Sequence, residues 1–178
     1  MKELYEYSNI DFHIFATNIC KFELEDFNHT THPNLKAIEA VYMSSTVPII
    51  FKPLFNNPLY LDGGFLNLYP IEYCLDKYDK NTILGLMIED NCNLENNSDE
   101  SNTSNVQFTN ILEYMGFIME KVHNYLIRKN NYTLKYEIII KSSRNSINEL
   151  KELFVHKENR QKMIDDGIIS AQEFIKTL

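Results

Sequence analysis

The fold is decided between residues 46 and 70, where the sequence reads TVPIIFKPLFNNPLYLDGGFLNLYP. Four of the five prolines and two of the five glycines of the chain fall in this stretch. Proline removes a backbone donor and glycine widens the accessible backbone angles, so this concentration indicates turns and irregular structure. We expect the functional site to lie here.

Strand patterns and helix patterns alternate on both sides of this stretch. Strands are predicted over residues 11–17, 22–27, 82–88 and 135–141, and helices from Pro33, residue 71, Phe108, the Ser146–Glu149 capping box and Met163. The run at 82–88 is continuously apolar, which is typical of a strand covered on both faces. The pattern therefore predicts an α/β fold of three layers, with a mostly parallel sheet flanked by helices.

The chain is long enough, at 178 residues with 44% apolar side chains, to bury one core without disulfides or a structural metal. We expect a single domain over residues 1–178. Residues 91–105 are rich in Asn, Ser, Asp and Glu and predict a flexible loop. Apolar residues at helical spacing from Phe108 to Leu126 predict an amphipathic helix that packs mostly into the core.

Composition also narrows the compartment and the partners. Cys20, Cys74 and Cys92 have unrelated spacings, so neither a disulfide framework nor a zinc site is indicated. The start of the chain lacks an apolar signal region and no stretch approaches a membrane span, so we expect a cytoplasmic protein, soluble or peripherally membrane-associated. A net charge of -8 and scattered basic residues argue against a nucleic-acid partner.

Three strings in one order carry a family resemblance: residues 40–48 (AVYMSSTVP), residues 51–53 (FKP) and residues 59–70 (LYLDGGFLNLYP). This order resembles the patatin-like phospholipases, and the resemblance covers most of the chain. It implies the family's α/β fold, hydrolysis of phospholipid or neutral-lipid acyl esters, and neither cofactor nor metal. It also implies that Asp62, which opens the Asp62-Gly63-Gly64 motif, is the proton acceptor of a Ser-Asp dyad.

The residue types suit this chemistry. A carboxylate within hydrogen-bond distance of a serine hydroxyl can take its proton as the serine attacks an ester carbonyl. Gly63 and Gly64 are expected to adopt backbone conformations closed to other residues and to admit a substrate closely. A dyad of this type needs no histidine.

The serine half of the dyad is missing from the sequence. The resemblance places it upstream, in a Gly-x-Ser-x-Gly elbow, but no two glycines of this chain bracket a serine at that spacing. We therefore expect the C-terminal part of a patatin-like domain whose N-terminal portion is absent, with a separate chain or an upstream segment as a candidate source of the serine. Alone, the chain should hydrolyse esters negligibly.

Each candidate residue also has a purely structural interpretation. Asp62 can be a turn aspartate bonded to its own backbone, Ser44 and Ser45 can end a helix, and the His29-x-x-His32 pair fits a surface loop better than a metal site. The whole chain can also be a non-catalytic remnant that binds lipid or protein. A last alternative is an unrelated α/β domain in which Asp62-Gly63-Gly64 is only a turn.

Overall fold

The computed structural model describes residues 1–48, 51–52, 59–90, 134–142 and 155–178, together with the helical positions 111, 114–115, 117–118 and 121–122. The chain divides into two compact units. The first comprises residues 1–70 and 117–130, and the second residues 71–116 and 131–178. The predicted loop at 91–105 and the predicted helix start at Ser146–Glu149 lie outside the described residues.

The first unit contains a three-stranded antiparallel sheet. In chain order its elements are α1 (Lys2–Ser8), β1 (Ile14–Asn18), β2 (Glu23–Phe27), α2 (Ala37–Ser44), β3 (Tyr60–Asp62) and a 3-10 turn (Gly63–Phe65). β1 is central, with β2 on one side and β3 on the other. Its register pairs Ile14 with Phe27 and Ala16 with Asp62, so the end of β3 lies beside the middle of the buried strand.

Small residues bring α2 onto this sheet. Ala16 on β1 and Ala40 on α2 are both fully buried and belong to one apolar cluster with Ile14, Phe27 and Met43. Alanine at both positions lets the helix backbone approach the strand closely, because little side chain separates them. Ile38 on the same helix is, in contrast, 72% exposed.

Glu25 ties the three strands together. Its Oε2 accepts hydrogen bonds from Asn18 Nδ2 on β1 at 2.9 Å and from the Tyr60 hydroxyl on β3 at 3.0 Å, and its Oε1 lies 3.1 Å from His32 Nε2. Burial raises the pKa of Glu25, but these hydrogen bonds, with the nearby His32 and Lys21, outweigh burial and leave it below its ordinary value. Burial and the same carboxylate raise the pKa of Tyr60.

The second unit contains a parallel pair of strands. Its elements are α3 (Glu72–Leu75), a 3-10 turn (Lys80–Thr82), β4 (Leu84–Asp90), β5 (Tyr136–Ser142) and α4 (Lys157–Ile175), and α4 contacts β5. β4 pairs with β5 in register from Leu84 with Tyr136 to Asp90 with Ser142. Ile138 of β5 is buried.

The expectation that the 82–88 strand is covered on both faces is wrong. Leu84, Leu86 and Ile88 point to one face of the strand and are 55%, 63% and 62% exposed. The helix expected near residues 108–126 is helical at its described positions, but Ile111, Met115 and Ile118 are exposed, so those side chains are not core.

The observed architecture is α/β, with helices and small sheets. The strands predicted near residues 11–17, 22–27, 82–88 and 135–141 are confirmed as β1, β2, β4 and β5. Of the described pairings, β4 with β5 is parallel and the two made by β1 are antiparallel. The mostly parallel three-layer arrangement, the single domain and the absent N-terminal portion stay predictions.

Candidate active site around Asp62

Asp62 lies where β3 ends and the Gly63–Phe65 turn begins. Its backbone amide donates to the Thr46 carbonyl oxygen at 3.0 Å, just beyond the end of α2. Its own carbonyl oxygen accepts a hydrogen bond from the Thr17 hydroxyl on β1 at 2.9 Å. Both threonines are buried, with exposed fractions of 0% and 1%. A side chain of β1 therefore holds the Asp62 carbonyl, and the backbone just after α2 holds the Asp62 amide.

The Asp62 carboxylate bonds to the turn that follows it. Its Oδ1 accepts a hydrogen bond from the Gly64 backbone amide at 2.7 Å, which caps the 3-10 turn. The turn aspartate interpretation therefore describes the geometry correctly, and the same bond also fixes where the carboxylate points.

Close approach, not an unusual backbone angle, explains the two glycines. Neither has a positive φ, so the expected conformations closed to other residues are absent from this pair. A Cβ on Gly63 would lie 2.3 Å from the Phe15 carbonyl oxygen. A Cβ on Gly64 would lie 2.9 Å from both Asp62 Oδ1 and Leu68 Cδ2. The first glycine admits the β1 backbone, and the second leaves room for the carboxylate.

An open cleft of about 430 Å³ adjoins this turn within the first unit. Gly63, Gly64 and Asn67 line it on the side of the turn, and Val41 and Leu68 give it apolar wall. Asn67 Oδ1 accepts a hydrogen bond from the Tyr69 amide at 3.0 Å, which shapes the chain before Pro70. The turn, the glycines and the apolar wall thus meet in one concave region.

Two serines also line the cleft. Ser45 donates its hydroxyl to the Val41 carbonyl at 2.9 Å and to the Tyr42 carbonyl at 3.2 Å, so it ends α2 as the sequence interpretation has it. Ser44 is the last residue of α2 and is half-buried. Neither stands on a strand-to-helix elbow, and neither is assigned as a nucleophile.

His13 is the cleft residue that sequence reasoning missed. Its Nδ1 lies 2.7 Å from Asp26 Oδ2 and its Nε2 lies 3.2 Å from Asp11 Oδ2, and the ring lines the cleft wall. No local pattern marks it, because the two aspartates come from different segments. The ring is therefore held by carboxylates on both nitrogens.

The histidine pair at 29 and 32 divides between different partners. His29 Nδ1 lies 3.1 Å from Asp11 Oδ1, whereas His32 Nε2 lies 3.1 Å from Glu25 Oε1. Among the residues that the structure describes, no group of three or more His, Cys, Asp or Glu side chains could hold a metal ion. Each histidine of the pair thus lies beside a different carboxylate of the first unit.

Asp79 repeats the local geometry of Asp62 at a second place. Its Oδ1 accepts from the Asn81 amide at 2.8 Å and caps the 3-10 turn Lys80–Thr82. Asp79 is exposed, whereas Asp62 is half-buried, with its main chain held by two buried threonines. The capping bond is thus a common structural device, and the surroundings are what set Asp62 apart.

Within the described part of the chain, no helix combines the length and the apolar character that crossing a membrane requires.

Comparison with known proteins places this site in a family context. Residues 4–75 match the family Patatin, described as patatin-like phospholipase. The chain is also 32% identical over 80 residues to a protein of Invertebrate iridescent virus 6 described as probable lipid hydrolase 463L. That alignment covers 44% of this chain and 28% of the viral protein, so the chain matches under a third of its relative. The residues matched by the family model include Asp62, Gly63 and Gly64 and the two threonines, Thr17 and Thr46, that bond to the Asp62 main chain. Over residues 4–75 the chain is therefore similar to the patatin-like phospholipases.

Proposed function

We propose that this chain supplies the aspartate half of a lipid acyl hydrolase of the Ser-Asp type, with Asp62 as proton acceptor. The substrates are acyl esters of phospholipids or neutral lipids. The observation that carries the proposal is the Asp62 carboxylate, which the Gly64 amide orients at 2.7 Å and which immediately precedes two glycines that line an apolar-walled cleft. A carboxylate that is fixed in direction is what a dyad base requires.

The proposed reaction has two halves. A serine hydroxyl attacks the ester carbonyl carbon while its proton passes to the Asp62 carboxylate, and the leaving alcohol takes that proton as the carbon–oxygen bond breaks. Water then attacks the acyl-serine, giving its proton to Asp62, and the fatty acid is released as the serine regains a proton. Asp62 ends each half in its starting state.

The serine comes, in this proposal, from outside the 178 residues, either from an upstream coding segment or from a separate chain. Loss of the nucleophile of a serine hydrolase lowers turnover by about 10⁶-fold. The chain alone is therefore expected to show no labelling by a fluorophosphonate probe and no release of fatty acid.

Complementation tests the proposal. The chain is coexpressed with the segment encoded upstream of residue 1, or with the part of the viral relative that lies outside its matched region. Fluorophosphonate labelling and fatty acid release are measured on phosphatidylcholine vesicles and on a triacylglycerol emulsion. We expect activity only in the combined preparation, and a loss of at least about 10³-fold with Asp62→Asn.

Asp79→Asn is the matched control, because Asp79 makes the same capping bond. It should leave complemented activity unchanged. Stoichiometric labelling of the chain alone, or equal activity of Asp62→Asn and wild type in the complex, would contradict the proposed role.

A second candidate function is a non-catalytic remnant that binds lipid or protein. The observation in its favour is the exposed apolar face of β4 formed by Leu84, Leu86 and Ile88. Exposed apolar side chains in a row are typical of contact surfaces. This candidate predicts self-association or lipid binding without complemented hydrolysis.

A further inference from the structure

Thr17 makes an unusual contact for a side chain in the middle of a buried strand. Its hydroxyl donates to the Asp62 carbonyl oxygen at 2.9 Å, and the residue has no exposed surface. Burying a hydroxyl without a hydrogen-bond partner destabilises the fold, and valine has the same shape without that penalty. Threonine at this position is therefore explained by the bond that its hydroxyl makes.

The Asp62 carbonyl belongs to the same rigid peptide plane as the Gly63 amide. Because the peptide bond is planar, fixing that carbonyl fixes the plane that leads into the glycine pair. Glycine resists rotation of neighbouring peptide planes less than any other residue does. The bond from Thr17 therefore restrains the chain where its own sequence restrains it least.

The direction of the Gly64 amide depends on that restraint. This amide is the donor to Asp62 Oδ1 at 2.7 Å, and it follows Asp62 by only two residues. Rotation of the Asp62–Gly63 plane would turn the Gly64 amide away from the carboxylate. The Thr17 hydroxyl and the Gly64 amide thus bond to the same residue on either side of the Asp62–Gly63 peptide plane.

Thr46 restrains the other side of Asp62. Its carbonyl accepts from the Asp62 amide at 3.0 Å, and its hydroxyl donates to the Tyr42 carbonyl at 2.7 Å. The hydroxyl of Thr46 therefore anchors its own backbone to α2, and the backbone in turn anchors Asp62.

We propose that Thr17 is a positioning residue for the Asp62 carboxylate, acting through the Asp62–Gly63 peptide plane, with Thr46 as its counterpart on the α2 side. The functional meaning of this inference rests on the proposed role of Asp62 as proton acceptor. The structural claim is separable, because it concerns the bond between Gly64 and Asp62 and needs no hydrolysis.

The test is an acid titration of the full chain followed by the Gly64 amide proton in NMR spectra. In the wild type this resonance should shift as the carboxylate that it contacts is protonated. Thr17→Val should reduce that shift by roughly twofold or more, because the amide no longer points at Oδ1. Thr17→Ser, which keeps the hydroxyl, should restore it. Thr46→Val should reduce it in the same direction, and serves if Thr17→Val does not fold.

Thr31→Val is the matched control. The Thr31 hydroxyl donates to the Asp26 carbonyl at 2.6 Å, the same kind of bond at a turn away from Asp62. It should leave the Gly64 titration intact even where it lowers stability. An unchanged Gly64 shift in folded Thr17→Val, or an equal loss in Thr31→Val, overturns the inference. Failed complementation with a normal Gly64 result would instead overturn only the proposed function.

Discussion

The Cα of Gly63 faces the backbone carbonyl of Phe15 so closely that an added Cβ would lie 2.3 Å from its oxygen. The oxygen belongs to the central strand β1, which cannot shift without disturbing both neighbouring strands. Gly63→Ala should therefore destabilise the chain by more than about 3 kcal/mol, the upper part of the range for overpacking. Urea denaturation followed by circular dichroism measures this.

Gly64→Ala should cost less, about 1–2 kcal/mol, because one of the two atoms that its Cβ meets is the tip of the half-exposed Leu68 side chain. Gly167→Ala is the control in α4, where nothing lies within 4 Å of the added Cβ. It should stabilise by about 0.5–1 kcal/mol through helix propensity. Equal effects at positions 63 and 64 would contradict the close-approach explanation.

Asp62→Asn and Asp62→Ala should separate the structural from the chemical use of this side chain. Asparagine retains an oxygen that can accept from the Gly64 amide, so the variant should fold with little loss of stability. Alanine removes the cap and should cost about 1 kcal/mol. Thermal unfolding of both variants checks the difference, and a large loss in Asp62→Asn would show that the fold needs the charge itself.

The Glu25 carboxylate makes the stability of the first unit depend on pH. Its pKa is lowered in the folded chain, so its contribution is present above the unfolded value near 4.5 and is lost as the pH falls through the lower folded value. The gap in unfolding free energy between wild type and Glu25→Gln should therefore be largest near neutral pH and shrink below about pH 4.5. Urea midpoints from pH 7 to pH 3 measure it. A gap that grows with acid would contradict the assigned direction.

The exposed face of β4 should drive association between chains. Leu86→Lys replaces the most exposed of its apolar side chains and should lower self-association with a stability change within about 0.5 kcal/mol. Ile138→Ala, at the buried neighbour on β5, should cost about 2–5 kcal/mol. Sedimentation velocity over a concentration series, with urea denaturation, distinguishes the two. If the sedimentation coefficient depended on concentration identically in wild type and Leu86→Lys, this face would have no part in association and would no longer favour the non-catalytic remnant.

The sequence predicted secondary structure correctly where apolar residues follow the period of a strand or of a helix. β1 and β2 follow from buried and alternating residues, and the site region follows from the proline and glycine content. β3 could not be predicted, because its three residues, Tyr60–Asp62, lie in a short segment between Pro58 and Gly63 that resembles a turn. They form a strand because β1 pairs with them. α1 lacks an apolar stripe and gives no helical period.

Burial was harder to predict than secondary structure. Residues 82–88 are apolar enough for two covered faces, yet Leu84, Leu86 and Ile88 are exposed, because a sequence pattern shows which surroundings a residue prefers and not what packs against it. The threonine contacts of Asp62 were equally hidden. Thr17 suits a strand and Thr46 suits a helix end, so neither position suggests a bond to a residue far along the chain.

Selection for folding alone is enough to preserve the Asp62-Gly63-Gly64 triplet. The first residue caps a turn, the second admits the Phe15 carbonyl and the third leaves room for the capping carboxylate. On the proposed role of Asp62, a lineage that abandoned catalysis would keep both glycines, and its earliest tolerated change at this turn would be aspartate to asparagine, which preserves the hydrogen-bond acceptor and removes the proposed base. Descendants carrying Asn-Gly-Gly at this turn would then mark the loss of the proposed hydrolysis in a protein that still folds.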